Sequence, residues 1–370
     1  MSSQEQATSP ATLLSQLRQH LGLDTEYTVD HDDGFTWWPN GTPIRFRWAG
    51  PRAEAVAIPT SRISFEIDAI EGIDVSEEQE AAALSFLTKT FNLFSSAVED
   101  GTLRFRGTAH LLEGGTMAPV ARLFNQAFFA SHLIATKTSD IMPLLAPKNR
   151  GLFRRGGAQL VTREHPANGV RRNASDIPAS SVQSLLDAGA VTTAIDRTPD
   201  VPSAARAIQA LGIGLVASNV TNDEHAGATS FNVVIETRDA TSLLEIQLDQ
   251  THPSLGLGML AVLRIRFPEG HLHGSSEHLA ATWNRLEWEQ GEPIDLVGAW
   301  TPSAAGADVA YSAFYPNAAH NRDLARTVAL EGVRRVQWVF QHHGYDTPFT
   351  PTGPYGRALL GTPEPTGMRS

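Results

Sequence analysis

The chain has 370 residues, of which 41% are hydrophobic and 19% charged, and its formal net charge is −11 at pH 7. This length suits two domains, because a single hydrophobic core rarely grows to such a size. The acidic charge argues against a protein whose whole surface binds nucleic acid or acidic membranes. Cysteine is absent, which excludes disulfides, thiolate metal ligands and cysteine nucleophiles.

The N-terminal part predicts a helix followed by strands. Leucines on one side of Pro10–Leu23 predict an amphipathic helix. Alternating residues predict strands at Thr25–Asp33, Thr42–Trp48 and Val56–Asp68. Between the first two strands, Asn40-Gly41 predicts a hairpin turn, because both residues tolerate positive φ.

A helix with a clear start signal follows these strands. Ser76 and Gln79 form a capping-box pattern, and we expect the helix to continue to about Val98. Two further elements complete the lobe: a strand at Thr102–Leu112 and a helix from Ala118 to about Ile134. The order is αβββαβα, or αβββαββα if the last strand contains a bend.

The middle of the chain differs in composition from both sides. Residues 147–200 carry eight basic and five acidic side chains, among many Gly, Pro and Asn residues. We interpret residues 147–201 as a linker or a long surface loop. Its basic part, residues 148–172, has no interleaved aromatic residue beyond Phe153, so nucleic acid is the less favoured partner.

After Pro202 the same order of elements begins again. The predicted elements are a helix at Ala204–Leu211, strands at Ser230–Arg238, Leu243–Leu248 and Met259–Phe267, a helix at His278–Gln290 opened by Ser275, strands at Ile294–Thr301 and Asp308–Tyr315, and a helix at Ala318–His342. This order is αβββαββα. The remaining residues, 346–370, are rich in Pro and Gly and predict a tail along the surface.

Two lobes with one order of elements predict an α+β protein. We expect lobe 1 at residues 10–146 and lobe 2 at residues 202–345, each an antiparallel sheet with helices packed on one face. The N-terminus lacks a basic and apolar signal sequence, and the longest apolar run, near Gly256–Val262, is too short to span a membrane. We therefore expect a cytoplasmic protein without a membrane partner.

No catalytic or cofactor-binding motif is present. Gly212-Ile213-Gly214 and Gly256-Leu257-Gly258 each lack the third glycine of a dinucleotide-binding loop. His271 and His273 could present two ligands to a metal, but the neighbouring Gly and Pro residues favour a solvated turn. We predict no catalytic residue, no cofactor and no metal, and we keep a cryptic enzyme at this histidine turn as an alternative.

Aromatic residues on two hairpins are the best candidates for binding. They could line grooves for an extended peptide, although alternating aromatic residues usually pack in a core. Trp37 and Trp38 are adjacent, so in a strand they face opposite sides and one of them should lie off the main core. The candidate peptide-binding residues are Phe35, Trp37, Trp38, Trp300, Tyr311 and Phe314.

The stretch Ala281–Trp288 ("ATWNRLEW"), the two strands after it and the long closing helix resemble the YbjN-like domains of bacteria. These domains are similar in fold to type III secretion chaperones, and the group is described as peptide-binding chaperones. Gly34–Pro39 ("GFTWWP") and the capped helix at Ser76 make the first lobe resemble a divergent copy, as in tandem actinobacterial members. The resemblance covers about residues 10–140 and 202–343.

The resemblance implies a non-enzymatic chaperone or adaptor that holds a client protein or peptide across its sheets and helical grooves. Chaperones of this fold usually work as dimers, so two lobes on one chain imply a monomeric pseudo-dimer, with a homodimer as the other possibility. A third hypothesis is a scaffold protein that docks through its basic linker.

Overall fold

The computed structural model describes residues 28–39, 42–49, 60–112, 118–145, 159–161, 222–223, 228–236, 241–266, 275–290, 294–303, 309–316 and 324–342, and the single residues 18, 23 and 318. Lobe 1 contains strands β1 (Thr28–His31), β2 (Gly34–Trp37), β3 (Ile44–Ala49), β4 (Thr60–Glu71), β5 (Ser95–Glu99), β6 (Thr102–Leu112) and helices α1 (Glu77–Phe91) and α2 (Ala118–Leu145). Strand β7 (Gln159–Leu160) lies within the predicted linker. Lobe 2 contains strands β8 (Asn222–Asp223), β9 (Ala228–Glu236), β10 (Thr241–His252), β11 (Gly256–Arg266), β12 (Ala299–Pro302), β13 (Val309–Pro316) and helices α3 (Ser276–Gln290) and α4 (Leu324–His342).

The two lobes share one topology. Sheet A of lobe 1 has the strand order β1-β2-β3-β4-β6-β5, and β7 also pairs with β4. Sheet B of lobe 2 has the order β8-β9-β10-β11-β13-β12, which is the same path through equivalent strands. All the pairings between neighbouring strands are antiparallel. The predicted α+β architecture with two similar lobes is therefore confirmed. Each lobe has one short strand more than the three predicted before its central helix, β2 in lobe 1 and β8 in lobe 2.

Alternation along the strands separates the two faces of each sheet. In lobe 1, the inner face carries Phe46 and Phe65, and helix α2 covers it with Phe124, whose ring centroid lies 4.3 Å from that of Phe46. In lobe 2, the inner face carries Leu263 and Tyr311, and it packs against helices α3 and α4. Burial of these apolar side chains is the main force that holds each helix on its sheet.

Helix α1 begins as predicted but ends earlier. Ser76 Oγ accepts a hydrogen bond from the backbone N–H of Gln79, and the Gln79 side chain accepts one from the N–H of Ser76, which completes the capping box. The expectation that this helix continues to about Val98 is wrong. Asn92 adopts the left-handed conformation (φ 47°) and ends the helix, and β5 follows.

The other boundaries differ from the predictions at a few places. Helix α2 continues to Leu145 instead of ending near Ile134. Only the last three residues of the predicted strand Ile294–Thr301 belong to β12. The predicted helices at 10–23 and 204–211, the turn Asn40-Gly41 and the C-terminal tail lie outside the described residues, apart from residues 18 and 23.

Candidate functional site at the junction of the lobes

The lobes contact each other through two reciprocal backbone hydrogen bonds. The N–H of Thr108 in β6 donates to the carbonyl oxygen of Leu296 (3.1 Å), and the N–H of Phe314 in β13 donates to that of Asn92 (2.6 Å). Leu296 lies three residues before β12, and Asn92 lies three residues before β5. Each lobe thus places the segment before its last hairpin against the next-to-last strand of the other lobe's sheet, beyond the end of that sheet's own edge strand.

The contact of this segment with lobe 1 explains why the first part of the predicted strand at Ile294–Thr301 is absent from sheet B. Residues 294–298 run along β6 of lobe 1 instead. Thr108 Oγ1 accepts a hydrogen bond from the N–H of Leu296 (2.7 Å), and Ser95 Oγ donates to the carbonyl oxygen of Gly298 (3.3 Å). Residues 294–298 do not form the strand that the sequence predicted, and their hydrogen-bond partners lie in the other lobe.

Helix α3 of lobe 2 also reaches lobe 1. The indole N–H of Trp288 donates to Glu99 Oε1 (2.6 Å), and the guanidinium of Arg106 lies 4.2 Å from the centre of the Trp288 ring. Arg106 Nη1 donates to the backbone oxygen of Trp288 at 3.3 Å. The end of α3 is therefore fixed on the β5–β6 edge of sheet A by a cation–π contact and two hydrogen bonds.

Asp295 is the centre of a buried cluster at this junction. Its Oδ1 accepts hydrogen bonds from the backbone N–H of His110 (3.0 Å) and from His110 Nδ1 (2.6 Å), and its Oδ2 accepts one from Arg122 Nη2 (2.6 Å). The same Arg122 nitrogen donates to the backbone oxygen of Thr108 (2.9 Å). We call Asp295, His110 and Arg122 the junction triad.

The electrostatics of the junction triad keep Asp295 ionised. Burial alone would raise the pKa of Asp295, but the charge of Arg122 and the hydrogen bond from His110 lower it to about 2. Burial likewise disfavours the charged form of Arg122, yet Asp295 keeps the pKa of that guanidinium above its ordinary value. Each of these two buried charges therefore depends on the other.

A second ion pair lies beside the triad within lobe 2. Arg335 Nε donates to Glu287 Oε1 (2.8 Å), and Arg335 Nη2 donates to the backbone oxygen of Asp295 (2.6 Å). Glu287 Oε1 also accepts the indole N–H of Trp300 (2.7 Å). Burial raises the pKa of Glu287, while Arg335 and Trp300 oppose that rise. The pair ties helices α3 and α4 to the segment that carries Asp295.

The junction triad has the composition of a catalytic site but not its access. The His110 side chain is 7% exposed and that of Asp295 is 1% exposed. A general base must reach the proton that it removes, and both oxygens of Asp295 are already occupied by donors from lobe 1. The arrangement therefore joins the lobes and does not present a reactive group to solvent.

Five of the six candidate peptide-binding residues are buried in the cores. Phe35 and Trp37 pack under α2, and Trp300 and Tyr311 pack within lobe 2. Phe314 crosses the junction and packs in the core of lobe 1. Trp38 is the one that keeps partial exposure, in agreement with the expectation that one of the adjacent tryptophans lies off the core. In this conformation the other five offer almost no surface to a peptide.

Charged side chains cover the outer face of sheet A instead. Across β3, β4 and β6, Arg45 lies opposite Glu66, which lies opposite Arg106. One step along the sheet, Asp68 lies opposite Arg104, with Arg104 Nε donating to Asp68 Oδ1 at 2.9 Å. We call this surface the charged face, and its members are Arg45, Arg47, Glu66, Asp68, Arg104 and Arg106.

At the equivalent positions that the structure describes, lobe 2 has no counterpart of the charged face. The equivalent register in sheet B places Glu245 opposite Val262, and Val262 opposite Ser312. On the outer face of lobe 2, Arg264 forms an ion pair with Glu245 at 2.7 Å.

The other sequence-based candidates fall largely outside the described residues. His271 and His273 are not described, nor are the arginines of the basic linker. Within the part of the chain that is described, no group of three or more His, Cys, Asp or Glu residues could hold a metal ion. No helix among the described residues is long and apolar enough to cross a membrane.

Comparison with models of known protein families, with curated proteins and with solved structures gave no match.

Of the junction residues, sequence reasoning could have found only Glu287. It follows Leu279 and Trp283 at intervals of four, so it falls on the apolar stripe of α3, where a charged residue indicates a buried partner. His110, Arg122 and Asp295 carry no such signal, because they come together from positions up to 185 residues apart.

Proposed function

We propose that this protein binds and holds a segment of another polypeptide without catalysing a reaction, and that it uses the charged face of lobe 1. The observation that supports this most is that two arginines of this face, Arg45 and Arg47, are exposed and only weakly paired. Arg45 and Arg47 are 44% and 42% exposed, and their nearest carboxylate contacts are 3.4 Å and 3.7 Å long, both to Asp33.

Weak surface pairs can be exchanged at little cost. An exposed ion pair contributes only about 0–1 kcal/mol, so a carboxylate of a client can replace Asp33 without a large penalty. Arg45 and Arg47 are two residues apart on one strand, a spacing of roughly 7 Å. An extended client segment with acidic side chains at alternate positions matches that spacing.

A helix beside the charged face favours binding of a peptide segment over contact with a flat protein surface. Helix α3 stands along the β5–β6 edge, where Trp288 contacts Arg106 and Glu99. A client laid across the sheet would thus meet a helix on one side, which resembles the sheet and helical surfaces expected of YbjN-like and secretion-chaperone domains. We infer as part of the same proposal that the chain works as a monomeric pseudo-dimer in the cytoplasm.

Site-specific photocrosslinking tests the binding function. A photoreactive amino acid is placed at Arg45 on the charged face or at Ala135 on the exposed side of α2, and each full-length variant is irradiated in cells of the source organism. We expect defined polypeptide adducts from position 45 that are absent from position 135. No adduct at position 45, or the same adducts at both positions, would reject the proposed surface.

Inversion of one charge tests whether the charged face attracts acidic segments. Fluorescence anisotropy is measured with a labelled synthetic peptide of alternating Glu and Val and with a matching Lys and Val peptide. We expect Arg45→Glu to weaken binding of the acidic peptide about tenfold or more, since it replaces attraction by repulsion. Lys137→Glu on α2 makes a comparable change of charge away from the face and should leave binding unchanged.

A further inference from the structure

The junction between the lobes has two equivalent halves. In the strand registers, Arg106 lies opposite Ser95 in lobe 1, and Ser312 lies opposite Ala299 in lobe 2. Thr108 lies two residues after Arg106, and Phe314 lies two residues after Ser312. Thr108 and Phe314 donate the two reciprocal hydrogen bonds. Such an arrangement has the symmetry of an isologous dimer, in which the same surface could in principle meet a copy of itself.

The chemistry of the two halves is different. Lobe 1 passes from helix α1 to β5 in three residues, 92–94, and none of them is a carboxylate. Lobe 2 passes from α3 to β12 in eight residues, 291–298, and this longer connection carries Asp295. The position equivalent to His110 on β6 is Pro316 on β13, which has no backbone N–H to donate.

These differences make it unfavourable for lobe 1 to pair with another lobe 1, or for lobe 2 to pair with another lobe 2. If lobe 1 met another lobe 1, Arg122 and His110 would be buried against residues 92–94 without a carboxylate. Among the described residues, nothing accepts a hydrogen bond from Arg122 Nε or Nη1, so the guanidinium depends on the acceptors of its Nη2, Asp295 and the Thr108 carbonyl. If lobe 2 met another lobe 2, Asp295 would be buried against Pro316 without its donors.

We propose that the junction triad is a recognition element that restricts this surface to one kind of partner, the opposite lobe. Lobe 1 supplies two donors and lobe 2 supplies the carboxylate, so only unlike lobes satisfy all three groups. Specificity here comes from the penalty for an unpaired buried charge in the wrong complex, as well as from the attraction in the correct one. Because the lobes share a chain, their high effective concentration favours pairing within one molecule.

Removal of the charges as a pair tests this role. In the variant Asp295→Leu with Arg122→Met, the penalty against like pairing is lost while the shape of the junction is kept. The matched control is Glu245→Leu with Arg264→Met, which removes the ion pair on the outer face of sheet B. Light scattering after size-exclusion chromatography is recorded for both full-length variants and the unaltered protein over a wide range of concentration.

We expect the unaltered protein and the control to keep the mass of one chain at every concentration. The junction variant should instead shift towards twice that mass as the concentration rises, with a circular dichroism spectrum like that of the unaltered protein. A folded junction variant that stays monomeric, or a control that associates equally, would overturn the proposal.

A milder variant covers the case in which the first does not fold. Asp295→Asn with Arg122→Gln removes both charges and retains a polar group at each position, and the same shift in mass is expected. If this variant also fails to fold, the triad is required for folding of the lobes and not for the choice of partner, and the proposal is refuted.

Discussion

Protonation of Asp295 should weaken the junction of the lobes in acid. The carboxylate is held by His110 from β6 and Arg122 from α2, and its own backbone N–H donates to Glu331 of α4. Arg334 of α4 adds a further positive charge that lowers the pKa of Asp295. A proton on Asp295 removes the negative charge that favours the charged form of the buried Arg122 guanidinium.

The contribution of Asp295 to stability follows from the difference between its pKa in the folded protein and its ordinary pKa. The ordinary pKa of 3.8 is lowered to about 2 in the folded protein. Each unit corresponds to roughly 1.4 kcal/mol, so the ionised carboxylate contributes about 2 kcal/mol to the free energy of unfolding at neutral pH. Since the folded pKa is the lower one, this contribution is complete above pH about 4 and is lost as the pH falls from 4 to 2.

Urea unfolding at a series of pH values measures this contribution. Asp295→Asn resembles the protonated side chain, so it should unfold with a free energy lower by at least about 2 kcal/mol at pH 7, and by up to about 5 if Arg122 cannot relax. The difference from the unaltered protein should shrink by about 2 kcal/mol as the pH falls from 7 to 2. Asp140→Asn, an exposed carboxylate on α2, is the control and should change stability little at any pH. If the curves of the unaltered protein and Asp295→Asn stay parallel from pH 7 to pH 2, the reasoning is refuted.

Substitutions at four residues test other parts of the fold by thermal or urea unfolding. Gly298→Ala should destabilise by about 1–3 kcal/mol, because its Cβ would collide with the carbonyl oxygen of Ser312; unchanged stability would mean that β12 can shift freely. Phe46→Ala should cost about 3–5 kcal/mol, because this fully buried ring stacks in the core of lobe 1, whereas Trp38→Ala, at a partly exposed site, should cost clearly less; equal losses would contradict the burial of the two side chains. Ser76→Ala should cost about 1 kcal/mol through loss of the N-cap, and Ser76→Thr should restore most of it.

Local signals predicted the elements that local physics controls. The capping box at Ser76 fixed the start of α1, since its two hydrogen bonds involve residues only three apart. Alternation in β6 and β11 indicated strands because one face of each sheet is buried under helices. Because these local patterns identified most of the elements, their repeated order was sufficient to predict two similar lobes.

The end of α1 was missed although a signal for it was present. Leu93 and Phe94 continue an apolar run after Phe91, so periodicity alone extends the helix. Asp100-Gly101, both at positive φ, form the turn of the hairpin that joins β5 to β6. An Asp-Gly pair between two short apolar runs is a strong hairpin signal, and giving it weight would have placed β5 correctly.

The junction could not be predicted from local patterns. The sequence at Ile294–Thr301 predicts one strand, but only its last three residues are strand, because residues 294–298 meet the other lobe instead. Asp295 looks like an ordinary polar residue of a strand, and its partners His110 and Arg122 are 185 and 173 residues away. The aromatic residues were misleading for a related reason, since Phe314 contributes to the core of the other lobe.

Two lobes with one topology need not share one task, and their outer faces differ where a partner would touch them. Arg45, Glu66 and Arg106 on sheet A correspond to Glu245, Val262 and Ser312 on sheet B. A client that recognises the arginines of lobe 1 would find a carboxylate and an apolar side chain at the same register of lobe 2. The junction triad also differs between the lobes, because its donors come from lobe 1 and its carboxylate comes from lobe 2. Both differences make the lobes non-interchangeable, so a bound segment would have a defined place on the chain instead of two equivalent ones.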